Sequence, residues 1–142
     1  MIDLAVIVAD AIRKQLGNKV DDVCVDFPQN TKWAEQTTIV VMERDSVLND
    51  DHADEYNEYP GIYTTTLVIH VMAKDRKKAK EIRFAAEKIG YLTLNQLVDR
   101  DNGPVWAVWY GNKRCGQATL GNISLESTGA TREMIVSNSI EP

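Results

Sequence analysis

A single α/β domain of the α+β type, a mostly antiparallel sheet with two main helices packed on one face, is the fold class the sequence predicts. Three observations carry this expectation. Two segments have apolar residues at helical spacing, whereas the remaining apolar runs are rich in β-branched residues, so helices and strands are segregated along the chain. The 142 residues are 44% hydrophobic and 26% charged with only 4 prolines, enough apolar material for one core. Finally, two β-branched runs flank a long acidic stretch, Asp45 to Tyr59, and so read as an antiparallel pair joined by an unusually long connection.

The first element is a helix over residues 2 to 16. Ala5, Val8, Ala9, Ile12 and Leu16 fall on one stripe. Asp3 suits the positive end of the helix dipole, Arg13 and Lys14 suit the negative end, and Gly17 suits a left-handed cap. Val20 to Phe27 follows as a short strand, with Val23 and Val25 on one side of a period-two pattern and Asp22, Cys24 and Asp26 on the other. Pro28 ends it. Thr37 to Arg44 and Pro60 to Ala73 are the two β-branched strands. On the second, Tyr63, Leu67, Ile69 and Val71 define a core face, and Thr64, Thr66, Val68, His70 and Met72 a half-polar one.

Asp75 is the expected N-cap of a second helix whose stripe is Ala79, Ile82, Ala85, Ala86 and Ile89, closed by Gly90. Lys77 with Glu81 and Arg83 with Glu87 read as exposed pairs at spacing four. Thr93 to Gln96 has the form of a capping box and predicts a further short turn of helix. Asp101 to Pro104 is a turn cluster before the strand Val105 to Tyr110. Gly111, Asn112 and Lys113 then predict a hairpin turn, with Ala118 to Glu126 and Thr131 to Ile140 as two final strands.

The chemistry on offer is sparse. A formal net charge of −5 argues against a phosphate-gripping surface, and nucleic-acid binding is not expected. Two cysteines, Cys24 and Cys115, are too few for a disulfide scaffold and read as small buried hydrophobes. The apolar N-terminus is too short to span a bilayer and has no basic leader, so a cytosolic setting is expected. Asp50, Asp51, His52, Asp54 and Glu55 bring ligand types for hard cations, yet lack the alternate carboxylates, central glycine and closing glutamate of a calcium loop. A solvated or partner-facing surface is the simpler reading. Lys74, Arg76, Lys77, Lys78 and Lys80 cluster at a helix start without a preceding glycine-rich loop, which favours a solvated face. His70 has no sequence-local nucleophile, although Cys24 lies on a strand that could neighbour it. Trp106 and Trp109 fall on opposite sides of one strand, one suited to the core and the other to a subunit interface.

The order of elements carries a resemblance. Met1 to Leu16 as an entry helix, Gly61 to Ala73 running straight into Lys74 to Ile89, and the closing Arg132 to Ile140 resemble the small tail terminator (tail completion) proteins of long-tailed bacteriophages, over essentially the whole chain. The resemblance implies a virion structural protein of the neck region, assembled in the host cytoplasm. It would form a homo-oligomeric ring, commonly a hexamer, on the head-proximal end of the tail. There it would end polymerisation of the major tail tube protein and offer a joining surface to the head connector or head-closure protein. DNA would pass through the channel without specific binding. No catalysis, cofactor, metal or membrane is implied. In that setting Asp45, Asp50, Asp51, His52, Asp54, Glu55 and Glu58 are expected in a partner-contact loop, and Trp106 and Trp109 at a subunit interface. Two alternatives remain open: another neck component, such as a head-closure or tail-joining adaptor, and a small cytosolic enzyme or ligand-binding domain built from His70, Cys24 and the acidic segment.

Overall fold

The structure, a computed structural model, describes residues 2–26, 36–49, 61–120 and 123–140, with backbone alone for 118–120 and 123–127. The elements are α1 (Leu4–Leu16), β1 (Asp22–Val25), β2 (Thr38–Asn49), β3 (Ile62–Ala73), α2 (Arg76–Asn95), β4 (Val105–Leu120) and β5 (Ile123–Asn138). The strands form one five-stranded sheet in the order β1-β2-β3-β5-β4. Only the β1–β2 pair is parallel. Both helices lie on one face of this sheet, so the fold is α+β with a mostly antiparallel mixed sheet.

Local chemistry explains the helices. Asp3 is the N-cap of α1, its carboxylate accepting from the Ala5 and Val6 amides at 3.0 and 3.2 Å. The apolar stripe Leu4, Ala5, Val8, Ala9, Ile12 and Leu16 is buried. Asp75 caps α2 by accepting from the Lys78 amide at 2.7 Å. Against α2 and α1 the sheet presents Val23, Ile39, Val41, Leu67, Ile69, Val71, Met134 and Val136, all buried, which is the core.

Gly90 does not close α2. It sits inside the helix, which runs to Asn95, at the point where α2 crosses both α1 and the sheet. A Cβ there would lie 3.1 Å from Met134 Sδ, 3.2 Å from Val8 Cγ1 and 3.3 Å from Ile69 Cδ1, so the glycine permits close approach of helix to sheet. Thr93 is likewise helical rather than a cap, its hydroxyl donating to the Ile89 carbonyl at 2.7 Å. Gly17 ends α1 in the right-handed conformation (φ −59°, ψ −23°), with its amide donating to the Arg13 carbonyl.

The C-terminal half departs furthest from the sequence reading. Gly111 and Asn112 make no turn; they fall in a register shift between Tyr110 and Lys113, and β4 continues as one strand to Leu120. A bulge absorbs the extra residues that a turn would have used. The two expected final strands are then one, β5. β3 ends at Ala73, opposite Thr128. The β4–β5 ladder continues past that row to Leu120 and Ile123, as a two-stranded arm.

Candidate functional site

His70 and Cys24 are the first place to look for chemistry, because they share the sheet face turned away from the helices. Cys24 pairs with Val40, and Val40 with His70. Two strand spacings therefore separate them, about 10 Å. Val40, 2% exposed, lies between. A thiolate–imidazole pair needs hydrogen-bond reach, which this register denies. Burial, with a smaller contribution from Asp22, pushes the Cys24 thiol up to about 11, and its Sγ donates to the Ile39 carbonyl at 3.7 Å. Burial also lowers the His70 pKa, favouring a neutral imidazole. Cys24 instead packs with Val40, Met72 and Met42, as a small apolar residue does.

The described residues hold one buried charge cluster, which the sequence reading treated as an exposed helix pair. Glu87 is 7% exposed at its side chain, and its Oε2 lies 2.9 Å from Arg132 Nε and 3.9 Å from Arg83 Nε. The Arg132 guanidinium covers the Tyr110 ring at 4.5 Å, and Tyr110 stacks on Tyr91 with centroids 5.1 Å apart. The Tyr110 hydroxyl donates to the Glu87 carbonyl at 3.2 Å, while Arg132 and Arg83 donate to the carbonyls of Gly111 and Arg114 at 3.3 and 3.4 Å. The cluster joins α2 to β4 and β5 at the bulge, and every member faces a protein partner. It is a clamp, not a pocket for substrate. Only the unbroken passage of β4 through Gly111 brings Arg132 opposite Lys113 and hence under α2, and no local motif signals that.

The partner-contact residues divide. Asp45 lies in β2, pairing with Thr66 after a register shift at Glu43, rather than in a loop. Asp50, Asp51, His52, Asp54, Glu55 and Glu58 lie outside the described residues. The acidic stretch thus begins as strand, with β2 described to Asn49 and β3 from Ile62. Asp45 is nonetheless exposed, as are Val47 (60%) and Leu48. β1 ends opposite Val41, so among the described residues nothing pairs with the outer side of β2 from Glu43 onward.

The two tryptophans differ in exposure. Trp106 is half-buried, its ring lying where a Cβ on Gly103 (φ +63°) would fall, at 2.7 Å. Trp109 is 43% exposed, on the face away from the helices, paired with Ile135 across the β4–β5 ladder. The basic residues Lys74, Arg76, Lys77, Lys78 and Lys80 are exposed, and the amide end of α2 beside them is already capped by Asp75. Among the described residues no three His, Cys, Asp or Glu side chains could hold a metal ion, and no helix is long and apolar enough to cross a membrane.

The chain matches no protein-family model and no curated protein. Its function therefore rests on its own geometry.

Proposed function

We propose that the protein is a structural component of a phage neck, forming a ring at the head-proximal end of the tail tube, ending tube growth and joining tail to head. The single observation that carries this reading is Trp109, a large aromatic 43% exposed on the outermost strand β4. Aromatics are depleted from solvated surfaces and enriched in subunit contacts. Two further features support it. The order of elements that carries the resemblance is realised as one two-layer unit, and the described His70–Cys24 pair lacks the geometry of a reacting centre. A ring of identical subunits needs two different patches on each chain, and this fold offers two different sheet edges, β1–β2 and β4.

The acidic segment contacts the tube or lines the channel in this reading, where its charge repels the phosphates of passing DNA. Because Asp45 to Asn49 are paired with β3, the replacement is confined to residues 50–60, between the described ends of β2 and β3. Replacing those residues by a short Gly/Ser linker leaves the far-ultraviolet spectrum and the ring intact and impairs capping, seen as overlong tails in complemented phage. Tails of normal length that attach normally to heads would sink the contact assignment.

A further inference from the structure

We infer that successive copies of this chain join through oppositely charged sheet edges, the acidic α1/β1/β2 edge of one copy against the basic α2/β4 edge of the next. This rests on the ring reading and names the surfaces that would build it. The charge asymmetry starts in the sequence. Residues 1 to 73 hold 13 Asp and Glu against 5 Lys and Arg, a net −8, and residues 74 to 142 hold 8 against 11, a net +3. Topology turns this asymmetry along the chain into an asymmetry across the molecule. The first half supplies β1, β2 and β3, the second β5 and β4; among the described residues the halves hold 7 acidic against 4 basic and 7 against 11, so the half that supplies the β1–β2 edge is net −3 and the half that supplies the β4 edge net +4.

Each edge also carries exposed apolar residues that a contact would cover. On the acidic side Ile2, Val6, Val47 and Leu48 are exposed, on the basic side Phe84 (65%) and Trp109. The acidic side groups carboxylates tightly. The Glu43 carboxyl is raised first by burial and then by the charges of Asp3, Asp26 and Asp45, so these three act on it at the same edge. On the basic side, Arg83 donates to the Arg114 backbone carbonyl at 3.4 Å, so α2, which also carries Lys80, lies beside the part of β4 that carries Lys113 and Arg114. Such patches repel their own kind and attract each other, so the contact is head-to-tail, the type that closes into a ring.

The joint is made by side chains rather than by extending the sheet. At one edge the Val23 carbonyl already accepts from Arg13 at 2.7 Å, and at the other the carbonyls of Gly111 and Arg114 accept from Arg132 and Arg83. Filling backbone acceptors with guanidinium groups is a means of keeping sheet edges from pairing indiscriminately.

The test uses charge reversal on exposed side chains. An acidic-edge variant carries E43K and D45K, a basic-edge variant K80E, K113E and R114E, and assembly is followed by sedimentation velocity. Each variant alone should remain monomeric at a concentration where the wild type forms rings. An equimolar mixture, and a chain carrying all five substitutions, should assemble again. Wild-type assembly should weaken at least about tenfold between low and molar salt, because exposed charges are screened over a few ångströms there. Wild-type rings indifferent to salt, or folded single-edge variants that assemble like the wild type, would overturn the edge assignment and leave the ring reading standing. The salt series on the wild type decides the matter even if a variant fails to fold. A wild type that is monomeric under every condition would overturn both.

Discussion

At Cys24 the neighbouring strand decides reactivity. The thiol is half-buried against Val40 and Met72 and beside Asp22, and its pKa of about 11 leaves roughly one thiolate in a thousand at pH 8. Alkylation of Cys24 in the folded protein at that pH, followed by peptide mass spectrometry, should therefore run tens of times slower than in the unfolded chain. Rapid labelling in the folded state would show that the β1 edge opens. His70 gives a second test, with a definite sign. Its folded pKa lies below the ordinary 6.5, so above that pH the neutral imidazole costs nothing. As pH falls below about 6.5 the unfolded chain takes up a proton that the folded chain resists, and stability drops. The urea midpoint of the wild type should fall between pH 8 and 5.5 more steeply than that of His70→Gln; equal slopes would mean that His70 reaches water more easily than its burial indicates.

Between elements, the clamp of Glu87, Arg83 and Arg132 has the largest expected effect. Glu87→Ala would leave two guanidinium groups, 8% and 17% exposed, without their carboxylate. A loss of about 3–5 kcal/mol is expected in chemical denaturation, since a stranded buried charge costs far more than an intact pair contributes. A loss below about 1 kcal/mol would place the cluster effectively in solvent. This clamp also marks where legibility in the sequence stops. The stripe on α1, the β2–β3 pair and the Asp75 cap follow from spacing and local chemistry, and the structure contains all three. Gly90, Thr93 and Gly111 were read as punctuation, yet each sits inside an element. Gly90 serves helix–sheet approach, Thr93 folds back on its own helix, and Gly111 fills a bulge. Glycine and threonine report a local need, and whether that need is a stop or a close contact depends on partners remote in sequence. Which of Trp106 and Trp109 is exposed was not legible, because a register shift between Val105 and Ala107 interrupts the local alternation, and the pairing of Asp45 with Thr66 likewise depends on a bulge that the acidic run conceals.

For the whole molecule, the governing feature is that β1–β2 and β4 form different edges of one five-stranded sheet, with helices covering a single face. In the proposed ring a head-to-tail contact uses two different surfaces of each chain, and these edges would supply them. Both the proposed ring and the charged joint descend from that feature, and both are read by mass. The most direct measurement is native mass spectrometry of the intact wild-type chain at micromolar concentration in a low-salt volatile buffer. The account predicts a single closed oligomer, six copies in the phage-neck reading, that dissociates as ionic strength rises. A species of one chain mass, 15.9 kDa, at every concentration and salt would contradict it.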